Sequence, residues 1–276
     1  MILAIPATRG LAAVLCLELL SGWSCAADSG SCATNTSEAK RAGRAILSAA
    51  NDFRRGEGLA ELAENPALSA VAARHARLLC EQGKLSHGAG GSDVEERIQS
   101  SSRRLFYIEL GENLYRKVLP QGALGFDSGT ATGFGQEAQG AWEKSAGHRR
   151  NLLIPTFNSL GIGVAHARDR FYAVQVFATL AAELASDLPG QQPLAKEQQV
   201  ELNVLLPIRS RARVCLVQAS AQPAVARHPA HLLVCDEMRS DALMLGYRPA
   251  RPGPSELRLR LPDGREAVGP RFEATD

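Results

Sequence analysis

Three residues far apart in the chain, His87, Glu112 and His148, are the ones whose types best suit chemistry. His148 sits in the stretch Trp142-Glu143-Lys144-Ser145-Ala146-Gly147-His148-Arg149, where a helix meets a small-residue turn. His87 follows Ser86 just beyond another helix, and Glu112 lies in Gly111-Glu112-Asn113-Leu114. Two imidazoles and a carboxylate meet the ligand count of a catalytic zinc site with one position left for water. His87, Glu112 and His148 are therefore the expected cation ligands, with Zn²⁺ the first choice. The competing reading is structural: the carboxylate accepts backbone N–H bonds, and the rings are merely hydrogen-bonded. Ser145 lies three residues before His148 and could face it on a helix, which invites a serine nucleophile with Glu112 as orienter. The strained elbow that exposes such a serine is missing, so a hydroxyl bonded near the helix end is favoured. His75, between Arg74 and Arg77, reads as part of a solvated face. Trp142 reads as core, and His166, His228 and His231 form no constellation.

The elements that must position these residues can be read from spacing and punctuation. Ser37 is placed to cap a helix to about Arg55, with Ile46, Leu47, Ala50 and Phe53 on one side. Asn65-Pro66 opens a second helix to about Gln82, with Leu68, Val71, Ala72, Leu78 and Leu79 as core and Gly83 as its stop. Asp93 caps a short helix that continues through Arg97. Residues 120–135, rich in Gly, Ser and Thr, read as a mobile surface loop ahead of a helix at about Gln136–Ser145. Leu160–Ala165 and Phe171–Phe177 are β-rich and read as a hairpin.

The flanks differ in character. Arg9, the apolar Leu11–Leu20 and the small residues to Ala27 read as a signal peptide over 1–27, too short an apolar run for a membrane span. Cys25 is an alternative lipidation site. Four cysteines then remain, Cys32, Cys80, Cys215 and Cys235, an even count that suggests disulfides in an exported chain. Cys215 and Cys235 would pair most easily; Cys32 would pair with Cys80, unless Cys80 is a buried free thiol. A Pro- and Gln-bearing linker over 182–196 leads to a β-rich region over 197–276, compatible with a sandwich, with strands at Val200–Leu206, Arg213–Gln218, His231–Cys235 and Leu257–Leu261. The net charge of +2 over 276 residues gives no argument for nucleic acid.

Asn51-Asp52-Phe53-Arg54, Gly58-Leu59, Asn65-Pro66-Ala67-Leu68, Ser86-His87, Gly111-Glu112-Asn113-Leu114, Trp142, Ser145-Ala146-Gly147-His148-Arg149 and Tyr172-Ala173-Val174-Gln175-Val176-Phe177 occur in that order. The ordered set resembles the CAP superfamily (SCP-like, pathogenesis-related-1-like) in its bacterial form, over about Ser37 to Thr179. The resemblance implies an exported protein of α/β class, an α-β-α sandwich over 28–181, here followed by the small β-rich C-terminal domain. The family's eukaryotic cleft holds a cation on two histidines and two glutamates. His87 and Glu112 match the first of each, while Ser145 and Tyr172 stand where the second glutamate and second histidine would be. His148, of the bacterial Gly-His-Arg form, returns an imidazole to the cleft.

Three functions follow. One is a secreted or periplasmic binding module for a small apolar molecule or cell-envelope component, with an optional divalent cation in the cleft. The second is a metal-assisted hydrolase or peptidase in which Glu112 acts as base. The third is an interaction protein that docks a protein partner through the C-terminal domain, its cleft vestigial. The sequence favours the first, because no trio is specifically arranged for catalysis, and leaves open whether the protein is an enzyme.

Overall fold

The computed structural model describes residues 31–121, 125–127, 129–188, 197–207, 212–221, 230–238 and 242–275. The leader over 1–27 with Cys25, His228, and positions 189–196 of the predicted linker lie outside them. Helix α1 (Ser37–Gly56) is capped one residue earlier than expected, by Thr36, whose Oγ1 accepts from the Ala39 N–H. Strand β1 (Ala63–Glu64) precedes α2 (Pro66–Gln82). The Asn65 side chain accepts from the amides of Ala67 and Leu68 at the start of α2, and Gly83 ends it at φ 67°, the left-handed conformation glycine allows. Helix α3 (Val94–Ser101) begins with a capping box between Asp93 and Glu96. Strand β2 (Leu105–Val118) runs through Gly111-Glu112-Asn113 without interruption.

Helix α4 (Ala131–Lys144) starts five residues before the expected Gln136. Its glycine-bearing first turns read as loop from the sequence. A β-carbon at Gly135 would lie 2.5 Å from the Ala42 carbonyl oxygen, so the small residue lets α4 press against α1. Helix α5 (Ala146–Leu152) follows a single-residue break at Ser145. Strands β3 (Ser159–His166) and β4 (Arg170–Leu184) form the predicted antiparallel hairpin, and β4 pairs with β2 on its other side.

Alternation along β2, β3 and β4 divides the core into two layers. Leu114, Tyr172, Val174, Val176 and Ala165 face α2 and α3. Phe171, Ala173, Phe177, Leu160 and Val164 face α1, α4 and α5 with Trp142 and Ile46. Gly161 and Gly163 admit α2 onto the sheet, since β-carbons there would stand 2.2 and 2.1 Å from the carbonyl carbons of Leu68 and Ala72. The result is the expected α-β-α sandwich.

The remaining strands are β5 (Gln198–Val204), β6 (Arg213–Ser220), β7 (His231–Glu237), β8 (Ala242–Tyr247), β9 (Gly253–Arg260) and β10 (Glu266–Ala274). They enclose a second core of Leu202, Val214, Leu216, Leu243, Leu245, Leu257, Leu259 and Phe272. Two of these strands escape the sequence reading. In β8 Met244 points outward between buried Leu243 and Leu245, and β10 contains the turn-like Gly269-Pro270 at a bulge. Both disulfides form: Cys32 with Cys80, and Cys215 with Cys235 directly across the β6–β7 pair. The Cys32 bond and the bridge between Ala33 and His166 strap the segment before α1 onto the sandwich.

The two parts are joined more intimately than a linker at 182 suggests. Strand β4 continues to Leu184, where Ala182, Glu183 and Leu184 pair with β5, and β10 adds to β2 at Val268–Tyr107. The described strands thus form one branched ten-stranded sheet. Among the described residues no helix is long and apolar enough to cross a membrane.

Candidate functional site

Glu112 is the centre of the predicted cleft. It points to the α2–α3 side of β2, where its carboxylate is buried with 4% of the side chain exposed. His87, in the loop after α2, places Nδ1 2.7 Å from Glu112 Oε1. Arg97 on α3 donates from Nη2 to Oε2 at 2.5 Å, and from Nη1 to the carbonyls of His87 (2.8 Å) and Ser92 (2.6 Å). One guanidinium thus neutralises the buried carboxylate and pins the loop that carries His87.

His75 is a correction to the sequence reading. It is fully buried, not solvated, with Nε2 3.8 Å from Glu112 Oε2 and, among the described residues, no side-chain hydrogen-bond partner for either ring nitrogen. Arg74 and Arg77 point elsewhere because helix neighbours one and two apart do not share a face. The stripe Leu68, Val71, Ala72, Ala76 and Leu79 was the available signal, because position 75 falls on it at helical spacing. Burial holds the His75 pKa below the ordinary histidine value, with a smaller opposing pull from Glu112. Arg97 carried no such signal, as nothing in an exposed-looking helix Val94–Ser101 marks one arginine for burial.

His148 comes from the opposite layer. Asn113, next to Glu112 on β2 and therefore facing the other way, donates to the His148 carbonyl at 3.3 Å and to Gln175 Oε1 at 3.1 Å. Asn151 donates to the Glu112 carbonyl (3.1 Å) and to Asn113 Oδ1 (2.9 Å), and Gln175 donates to Gln139 Oε1 (3.0 Å). This chain of amides fixes α5 to β2 and β4. Beyond Tyr107 the outer edge of β2 has no strand partner among the described residues, so groups from both layers approach each other around it. His87 and His148 come within electrostatic range: burial first, and then the His87 charge, lowers the His148 pKa.

The other predicted site residues do not join them. Ser145 is the break between α4 and α5, and its carbonyl accepts from the Arg149 N–H at 2.8 Å. Tyr172 has no exposure at all; it packs in the α2-side core with its hydroxyl unpartnered among the described residues. Trp142 is core as expected, its Nε1 donating to the Leu114 carbonyl.

A cation held by His87, Glu112 and His148 together fits this arrangement poorly. Both carboxylate oxygens are already taken, one by Arg97 and one by the His87 nitrogen nearest the chain. Among the described residues no group of three or more His, Cys, Asp or Glu stands close enough to hold a metal ion. A cavity of about 490 Å³ does exist, but at the seam with the C-terminal strands, lined by Thr156, Thr179, Leu206, Pro207, Leu261 and Pro262. It contains none of the cleft residues, and its threonine hydroxyls already donate to Glu109 and to the Thr156 carbonyl.

The hydrogen bond to Glu112 is the main cause that raises the His87 pKa, against a smaller opposing effect of burial. Bonding to the charged form favours it. His87 is accordingly expected to titrate above 6.5, and Glu112→Gln to bring it down, when followed by ring-nitrogen NMR shifts against pH. No difference between the two proteins would mean that the bond does not hold in solution.

Residues 47–178 match the model of the Cysteine-rich secretory protein family, CAP. Among solved structures, an extracellular SCP-domain protein of Bacillus anthracis is similar at 24% identity and TM-score 0.40, over 50% of this chain and 40% of its own length. The chain thus spans about two fifths of that protein. An outer surface protein of Borrelia burgdorferi is similar at 17% identity and TM-score 0.43, over 54% of this chain and 98% of its own length. No curated protein matches the sequence.

Proposed function

Residues 47–178 form a CAP domain, and from that premise we propose that the protein is an exported binding module that takes a small amphiphilic component of the cell envelope at the His87 cleft. One observation carries this reading. The His87 side chain is 62% exposed, yet it is held by a short bond to a buried carboxylate. Fixing an exposed side chain costs conformational entropy and adds no apolar burial to the fold. Such a group is presented outward. With Nδ1 occupied, the outward atom is Nε2, in a ring biased towards its cationic form. Leu85, two residues away, leaves 46% of its surface in water. An imidazole donor beside an exposed leucine suits a ligand with an acidic or hydrogen-bonding head and an apolar body. The two disulfides favour an oxidising, extracytoplasmic location for this role.

The hydrolase reading is weaker, because Glu112 has no free oxygen for a bound water. A cation reading rests on the His87 and His148 rings alone, with Glu112 orienting His87 from behind. Two imidazoles fall short even of the three protein ligands an open zinc site uses, so Zn²⁺ binding is expected to be weak. Docking of a protein partner by the C-terminal strands remains the third reading, with no specific contact in its favour.

The test is co-sedimentation of the purified protein with anionic phospholipid vesicles and with isolated peptidoglycan, wild type beside His87→Ala. Saturable binding to one of them, weakened tenfold or more by the substitution (about 1.4 kcal/mol), is the expected result. Binding to neither, or binding indifferent to His87, would refute the proposal.

A further inference from the structure

We propose that the C-terminal strands act as a positioning element for the cleft, through a grip of β10 on helix α3. Helix α3 has two working faces. Arg97 on one reaches Glu112 and the carbonyls of His87 and Ser92. Gln99 and Glu95 serve the other. The register of β10 against β9 shifts between Val268 and Arg271, a bulge that takes backbone groups out of the ladder. The Gln99 amide meets them: Nε2 donates to the Gly269 carbonyl at 2.9 Å and to the Tyr107 hydroxyl at 3.0 Å, and Oε1 accepts from the Arg271 N–H at 3.2 Å. Gln99 is 7% exposed, so these bonds have little competition from water. Arg271 adds an ion pair to Glu95, and its carbonyl accepts from Arg103 just past the helix.

Residues 97 and 99 share one eight-residue helix, so what holds Gln99 sets the reach of Arg97. Arg97 balances the buried charge of the carboxylate that holds His87, and it donates directly to the His87 carbonyl as well. The line from β10 to the cleft is Gly269 and Arg271, Gln99, Arg97, Glu112, His87. An event that draws β10 away would free Arg97 and release the loop over 86–92. The cleft concerned is the one proposed above for binding, but the inference needs no ligand, and its test uses none.

The test is peptide-level hydrogen–deuterium exchange on the full chain in wild type, Arg97→Ala, Gln99→Ala and Arg271→Gln. Arg97→Ala should speed exchange across 86–92 at least tenfold. Gln99→Ala should act on the same segment in the same direction, and Arg271→Gln, which keeps the buried amide bonds and should fold in any case, more weakly. The double variant of Arg97 and Gln99 should exchange no faster at 86–92 than Arg97→Ala alone. Faster exchange confined to 266–271 and α3, with 86–92 unchanged in both β10-directed variants, would overturn the proposal. So would an Arg97→Ala protein whose 86–92 segment stays protected. A protein that passes this test but binds neither vesicles nor peptidoglycan would sink the binding reading alone.

Discussion

Arg54→Ala should lower the unfolding free energy by about 4 kcal/mol, because it strands several buried carbonyls at roughly 1–3 kcal/mol each. Arg54 has no exposure, and no carboxylate partners it among the described residues. Its guanidinium instead donates to the carbonyls of Ala60 (2.8 Å), Leu152 (2.8 Å), Ile154 (2.9 Å) and Phe157 (3.3 Å). Burial lowers its pKa, as expected for a charge compensated by dipoles rather than by an anion. These bonds tie the end of α1 to the last residue of α5, the helix that carries His148, and to the chain that follows it. Arg54→Lys should recover less than half of the loss, because one ammonium cannot span carbonyls from Ala60 to Phe157. Urea unfolding of the three proteins measures this; a loss below about 1 kcal/mol for Arg54→Ala would show that water replaces the guanidinium.

Glu112→Leu is the second large effect, about 3 kcal/mol, because it leaves the Arg97 cation buried without its anion. Arg97 keeps only 10% of its side chain exposed, so solvent offers little relief. Arg97→Leu alone should also destabilise, through the stranded carboxylate. The double variant should recover much of the loss, since two apolar groups of similar size remove the desolvation penalty together. A double-mutant cycle by urea unfolding decides it. Strictly additive losses would mean that the 2.5 Å contact between Arg97 and Glu112 contributes nothing as a pair.

The layout of the sandwich was legible where local chemistry and burial agree. Asn65-Pro66 and Gly83 bracket α2 because cap and stop act through their own side chains and backbone. The β3–β4 hairpin was legible from its apolar content. One pairing was legible: His87 and Glu112 meet. What was not legible is what surrounds them. Arg97 and His75 reach Glu112 from two helices, and no local pattern tells which arginine or histidine a distant carboxylate will draw inside. The bulge at Gly269-Pro270 was not legible either, because one repaired by a glutamine 170 residues earlier leaves no trace in its own neighbourhood. Tyr172 was placed in the cleft by likeness to a family position, but strand alternation sends it into the core instead.

The union of β2 with β10 has a consequence for how the molecule comes into being. Tyr107 meets Val268, so the side of β2 that receives β10 waits for residues synthesised long after it. Contacts so distant along the chain form late, and until then a nascent N-terminal half displays an unfinished sheet margin able to recruit other chains. The sandwich can assemble its local helices early, but its arginine-bearing helix finds its final seat only when β10 arrives. Assembly of the cleft thereby depends on a strand made long after the residues that line it.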